Sequence, residues 1–253
     1  MEPAVDELAA LRLQIEWGAD EAIAEAPLDR LQPSARHSES APRRQGAQLA
    51  IASAGGEAGL GETLEELRAA MAAFEGCALR HTATNLVFAE GDPHAEVAVI
   101  YDAPDADDDR SGRPGSGEAG AWLDRMLASI GLERGRILLT PLVFWRPPGG
   151  RPPSDREIAA CLPFLHRLLA LTRPQFLLLL GSLAAKSLAA AGESSFRRTA
   201  KPEFKPFALP GIPEPVRAVA IPSLTQIRRE PAARRQSWAC LRLLKRAIEA
   251  EMA

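Results

Sequence analysis

Asp102 follows the apolar run Val97-Ala98-Val99-Ile100-Tyr101 and precedes Ala103-Pro104. Proline fixes its own φ and restricts the residue before it, so a carboxylate at this strand end is held where it can orient a water molecule. Four more acids follow, Asp105, Asp107, Asp108 and Asp109. They lack the central glycine and terminal glutamate of a calcium loop, and the expectation is a hydrated acidic loop rather than a metal site. Gly112, Gly115 and Gly117 come next, but neither the dinucleotide fingerprint nor a Walker lysine accompanies them.

A second basic, stiff segment is Trp145-Arg146-Pro147-Pro148-Gly149-Gly150-Arg151-Pro152-Pro153, which leads into a helix capped by Ser154. Arg146 and Arg151 project from a backbone with little entropy to lose, which suits contact with a phosphate chain. The alternative is a rigid connector whose arginines pair with local acids such as Asp155 or Glu157. The four histidines, His37, His81, His94 and His166, show no ligand spacing and give neither a zinc site nor a catalytic group. Cys77, Cys161 and Cys240 cannot form a disulfide framework, and three thiols cannot supply the four thiolates of an iron–sulfur cluster.

These residues need elements to position them. Four short runs read as strands of a buried parallel sheet: 97–101, 137–145, 176–180 and 216–221. Helical patterns lie between and after them at about 117–130, 154–171, 182–191 and 231–250. Strands alternating with helices of this length imply crossover connections and an α/β fold, a three-layer α/β/α sandwich on a central four-stranded parallel sheet. In such sheets ligands bind beyond the carboxyl ends of the strands, which directs attention to the loops after each strand. Residues 4–20 carry Leu8, Leu11 and Ile15 at near-helical spacing. We therefore divide the chain into an N-terminal helical extension (1–32), a flexible Ser/Ala/Gly/Gln/Arg-rich linker (33–62) and a compact domain (63–253) opened by the capping signature Thr63-Leu64-Glu65-Glu66.

With 253 residues, 46% hydrophobic and 25% charged, the chain can bury a core of ordinary globular kind. Its longest apolar run falls well short of the roughly 18–20 residues that cross a bilayer, and the amino terminus has no basic segment followed by an apolar one. The expectation is a cytoplasmic protein with no membrane contact. The net charge of −3 hides an asymmetry: acids dominate residues 1–62 and bases dominate 194–253. The basic end suits phosphates, or else is a solvated helix surface.

The segments FEGCALRHTATNLVFAEGDPHAEVAVI, DAPDADDDRSGRPGSGEAGAWLDRML, WRPPGGRPPSDREIAACLPFL, RPQFLLLLGSLAAKSL and PSLTQIRREPAARRQSW together resemble the uracil-DNA glycosylase superfamily, most of all its family 4 bacterial, iron–sulfur type. The resemblance spans about residues 63–250. It implies an enzyme that binds DNA across the strand ends, flips a uracil into a pocket and hydrolyses its N-glycosidic bond, because the reacting atom is inaccessible within the stack. By position, Asp102 matches the acidic residue of the family's GEAPG motif, which assists the water or the cationic sugar. Pro222-Ser223 matches the Pro-Ser of the HPS loop, where Ser223 and the following residues grip phosphate. DNA is the implied partner, with Arg146, Arg151, Ser223, Arg228 and Arg229 facing it, and a monomer is expected.

The departures point the other way. Gly115 stands where the family stacks a phenylalanine on the base, Pro141 where an asparagine reads the uracil edge, and Ile221 where a histidine stabilises the departing uracil. Tyr101 and Asp105 replace glycines of the first motif. Cys77 and Cys161 occupy two of the four cluster positions, but Phe74 and Trp145 take the others, so no [4Fe–4S] cluster and no other cofactor is expected. Stacking is worth about 1–3 kcal/mol, and one oxyanion donor roughly 10²–10³ in rate. The sequence therefore predicts a superfamily protein related to base-excision repair with weak or absent uracil excision. Two alternatives stay open: a glycosylase for another damaged base using Asp102, and a non-catalytic DNA-binding or interaction module.

Overall fold

The structure is a computed structural model, and it describes residues 60–188 and 202–251. The N-terminal extension expected at 1–32 lies outside those residues, as do most of the linker and the end of the helix expected at 182–191.

Strands and helices alternate along the described chain. Helix α1 (Leu64–Ala73) is followed by β1 (Glu90–Gly91), β2 (Val97–Tyr101), α2 (Ala106–Ser111) and α3 (Gly117–Ala128). Then come β3 (Ile137–Pro141), α4 (Asp155–Thr172), β4 (Phe176–Leu180) and α5 (Ser182–Leu188), and finally β5 (Lys205–Phe207), β6 (Val216–Ile221), α6 (Leu224–Arg229) and α7 (Pro231–Glu251). The capping signature at Thr63 is realised in full: Glu66 N donates to Thr63 Oγ1, and the Glu66 carboxylate accepts from Thr63 N. Packing reaches back beyond the predicted boundary, since Leu60 is buried in the core and Gly61 O accepts from Arg167 Nε.

The sheet corrects the expectation of four parallel strands. Its order is β1-β3-β2-β4-β6-β5, a parallel centre of β3, β2, β4 and β6 with one antiparallel strand added at each edge. The edge strands have only two and three residues, Glu90-Gly91 and Lys205-Pro206-Phe207, too short and too polar to leave an apolar run.

Three layers follow from the pleat. Ala98, Ile100, Leu138, Leu177, Leu179 and Ala218 face a core shared with α1, α4 and α5. Val97, Val99, Ile137, Leu139, Leu178 and Val219 face another shared with α3, α6 and α7. Strands buried on both faces must be apolar throughout, which is why Phe176-Leu177-Leu178-Leu179-Leu180 shows no alternation.

Strand β2 is the first of the parallel strands, and the next two in sequence, β3 and β4, lie on opposite sides of it. Where the order reverses, the chain leaving β2 and the chain leaving β4 diverge to opposite layers and open a crevice at their carboxyl ends. Asp102 and Ser182 stand at that point.

Candidate active-site cleft

Asp102 turns into this crevice at the start of α5. Its Oδ1 accepts from Ala184 N at 2.9 Å, and Leu183 N also donates to the carboxylate. The approach depends on Gly181, whose φ is +104°: a Cβ there would lie 2.2 Å from Asp102 Oδ2. Burial raises the Asp102 pKa above its ordinary value of 3.8, against the pull of the two N–H groups. Asp102 is thus a half-buried carboxylate with its charge partly desolvated at the mouth of a cleft, which makes it a candidate for chemistry.

The cleft itself has a volume of about 690 Å³. The loops after all four parallel strands line it, contributing Asp102, Arg151, Ser182 and Ser223, together with Gly115 ahead of α3. Tyr101 is the one aromatic side chain among its lining residues.

Tyr101 is held by a buried polar cluster that the sequence did not disclose. Its hydroxyl donates to Asp108 Oδ2 at 2.6 Å, and Ser116 N donates to Asp108 Oδ1 at 2.6 Å. Gly115 N–H also reaches both the phenol oxygen and the carboxylate. Burial, reinforced by the Asp108 charge, pushes the Tyr101 phenol well above its usual value, so it stays a donor. Burial likewise raises the Asp108 carboxyl.

The hydrated acidic loop expected at 105–109 is thus overturned. Asp105 caps α2, accepting from Asp107 N and Asp108 N; Asp109 is buried and accepts from Thr84 N and Asn85 N; Asp107 pairs with Arg110. Acids suit a first turn because the free N–H groups and the helix dipole favour negative charge there. The spacing Asp105-x-Asp107-Asp108 before Gly112 was a helix signal, and the single tyrosine beside it was the clue to the pair.

The remaining predicted residues divide between cleft and core. Gly115 lines the cleft, but at φ +63° a side chain grown from it would meet Leu139 Cδ2 at 2.7 Å and the Arg134 guanidinium at 3.1–3.3 Å. Arg134 fastens this loop by donating to Pro114 O, Gly115 O and Asp124, and Arg113 forks onto Glu90. Pro141 and Ile221 are buried at the ends of β3 and β6 and do not line the cleft.

Of the two readings of the proline-fixed loop, pairing with a local acid is what the geometry realises for Arg151: both terminal nitrogens bind Glu157, at 2.6 and 2.9 Å. That fork is the main reason the Glu157 pKa falls to about 2. Arg146 is partly buried and keeps its Nε without a hydrogen-bond partner among the described residues. Ser223 lines the cleft and caps α6, its Oγ accepting from Gln226 N at 3.4 Å. Arg228 pairs with Glu118 at 2.7 Å, while Arg229 is exposed and free of any ion pair among the described residues.

The four cluster positions converge in one apolar core. Cys77 and Cys161 are buried and hydrogen-bonded to each other as free thiols, and that bond, reinforced by burial, holds the Cys161 thiol well above its usual pKa. Phe74 packs on Phe164 with ring centroids 4.9 Å apart, and Trp145 is buried in the same core. Two thiols and two aromatic side chains do not fit a [4Fe–4S] cluster, whose four irons need four thiolate ligands.

The sequence matches the Uracil DNA glycosylase superfamily over residues 88–245, from β1 to the last turns of α7. It is also similar to proteins named Type-4 uracil-DNA glycosylase. In Sulfurisphaera tokodaii the identity is 36% over 126 residues, covering 49% of this chain and 57% of the relative; in Archaeoglobus fulgidus it is 37% over 125 residues, covering 49% and 63%. The Thermotoga maritima protein shares 32% over 108 residues, covering 43% and 56%. The chain thus spans less than two thirds of the length of these relatives. Because the family match takes in every parallel strand and every loop that lines the cleft, the chain belongs to the uracil DNA glycosylase superfamily.

Proposed function

We propose that this protein acts on DNA in base-excision repair, receiving an extrahelical base in the cleft at the β2/β4 switch point, and that its excision of uracil is very slow or absent. The observation that carries the reading is the contrast between the carboxylate that lines the cleft and the side chains at the three base-recognition positions, of which only Gly115 reaches the cleft at all. Asp102 is held at the strand end with its charge partly desolvated, yet none of Gly115, Pro141 and Ile221 offers a side chain that could stack on uracil, read its edge or stabilise it as it leaves.

The reaction is N-glycosidic hydrolysis: water adds to the sugar carbon as the bond to the base breaks. Asp102, with Ala184 N and Leu183 N fixing its orientation, directs the attacking water and stabilises positive charge on the sugar. Discrimination fails for a different reason. Selectivity for a polar base comes from buried groups that would otherwise stay unpaired, and a proline at 141 supplies none. Ser223 at the cleft and the exposed Arg229 are the groups that hold the phosphate chain in this reading. The cluster of the iron–sulfur type enzymes is absent in this reading, its place filled by Phe74 and Trp145 around the two thiols. Iron analysis of anaerobically purified protein tests this: far less than four irons per chain is expected, and a full complement contradicts it.

A second reading keeps the hydrolysis and changes the base. It is favoured by Tyr101, an aromatic ring delivered to the cleft by a strand end and anchored by Asp108. Incubating the protein with duplex and single-stranded oligonucleotides bearing uracil, hypoxanthine or xanthine, and scoring abasic sites, distinguishes the two. Abasic product from a purine lesion, lost in Asp102→Asn, selects the second reading. Product from none, with salt-dependent DNA binding retained, leaves a binding protein on a glycosylase fold.

A further inference from the structure

A second concavity, of about 430 Å³, lies on the layer formed by α3, α6 and α7. Its floor is apolar: Trp122 and Met126 from α3, Ile227 from α6, and Trp238 and Leu241 from α7. Trp238 is 42% exposed and is the one large hydrophobic side chain so exposed among the described residues. The rim carries Arg125, Arg234 and Arg235, and no acidic side chain lines the groove. Arg125 sits over the Trp122 ring at 5.8 Å, and neither Arg234 nor Arg235 has an ion-pair partner among the described residues. The single polar lining side chain that is not an arginine, Ser129, is already bonded to Met126 O.

An exposed tryptophan beside a second one, over an aliphatic floor and under unpaired guanidinium groups, is the composition of an interface hot spot rather than of a solvated helix face. We propose that this groove docks a short acidic segment of a partner protein, its bulky apolar side chains seated against Trp122, Met126 and Trp238 and its carboxylates on Arg125, Arg234 and Arg235. Charge selects the occupant, since three arginines with no acid between them repel a basic segment and attract an acidic one. Single-stranded DNA also pairs aromatic faces with arginines. Met126, with Ile227 and Leu241 fully buried beneath the groove, however, gives an aliphatic surface that offers no hydrogen-bond donor to a base edge and is matched instead by leucine or phenylalanine side chains. Helix α6 joins the two concavities: Ser223, Leu224, Thr225 and Gln226 line the cleft, and Ile227 lines the groove. A docked partner therefore presses on the element that borders the DNA-facing site.

The test uses the full chain and three fluorescein-labelled probes. One is a peptide of about 12 residues placing leucine and phenylalanine at helical spacing among glutamates, the second its glutamine-for-glutamate counterpart, and the third an oligothymidylate of similar length. Anisotropy is read together with intrinsic tryptophan emission. The acidic peptide is expected to bind and shift the emission to shorter wavelength, and to weaken about tenfold or more in Trp238→Ala and in the double variant Arg234→Glu, Arg235→Glu. It should also weaken with added salt and bind better than its uncharged counterpart. Because Arg234 and Arg235 are exposed and without ion-pair partners among the described residues, the double variant should melt with the wild type, so binding lost there cannot be ascribed to unfolding. No binding of the acidic peptide, or binding indifferent to Trp238, overturns the proposal. So does an oligothymidylate that binds more tightly and depends on the same residues, or a self-association that Trp238→Ala abolishes.

Discussion

Asp102 and Gly181 make one unit. The glycine has to lack a side chain because the carboxylate occupies the space, and the carboxylate has its place because the first turn of α5 offers two N–H groups. The balance between those groups and burial sets a pH dependence whose sign is fixed. A carboxyl whose folded-state pKa is raised contributes stability below the ordinary value of 3.8, and that contribution is lost as pH rises through the folded-state value. Asp102→Asn keeps an oxygen for Ala184 N and removes the charge. Its stability relative to the wild type should therefore improve between pH 4 and pH 7 in urea unfolding. A variant that loses ground over that interval would identify Asp102 as a simple helix-capping anion. The sequence made Asp102 legible as a strand-end carboxylate, but not Gly181, whose requirement arises from a contact across 79 positions of chain and leaves no local mark.

Among the elements, the proline-fixed loop and α4 show how a charged group can serve the fold instead of a ligand. Ser154 caps α4, the Glu157 side chain returns to Ser154 N at 2.7 Å, and Arg151 forks onto the same carboxylate. The Glu157 pKa of about 2 against an ordinary 4.5 means stabilisation that is present above 4.5 and is lost as the pH falls toward 2. Glu157→Gln should cost about 1–2 kcal/mol at neutral pH and flatten the decline in unfolding midpoint between pH 5 and about 2. An unchanged acid limb would show that the pair contributes nothing. The elements themselves were largely readable: the central strands, α3, α4 and α7 lie where apolar runs and helical spacing place them, except that β3 ends at Pro141 rather than at the expected 145, where the apolar run Leu142-Val143-Phe144-Trp145 continues as buried irregular chain. The elements that left no sequence signature are short or self-satisfied. The edge strands are two and three residues long, and α2 is written in aspartates that look hydrated until their N–H and O–H donors are seen.

For the whole molecule, the parallel sheet gathers loops from four strand ends into one cleft, so a ligand site is fixed by topology before any side chain is chosen. The side chains then decide how that site is used. Arg229 is exposed and unpaired, whereas Arg151 is committed to Glu157. Arg229→Ala should reduce the slope of log affinity for duplex DNA against log salt by about 1, and Arg151→Ala should leave it nearly unchanged. Equal slopes in both variants would place the phosphate chain elsewhere. No helix among the described residues is long and apolar enough to cross a membrane.

The most direct test of the account is release of free uracil from a single-stranded oligonucleotide by the purified protein, followed over hours at enzyme excess. The account predicts uracil release barely above the rate without protein, because one donor lost to a developing oxyanion already costs roughly 10²–10³ in rate and the stacking and edge-reading groups are missing as well. Rapid, complete release that disappears in Asp102→Asn would contradict it.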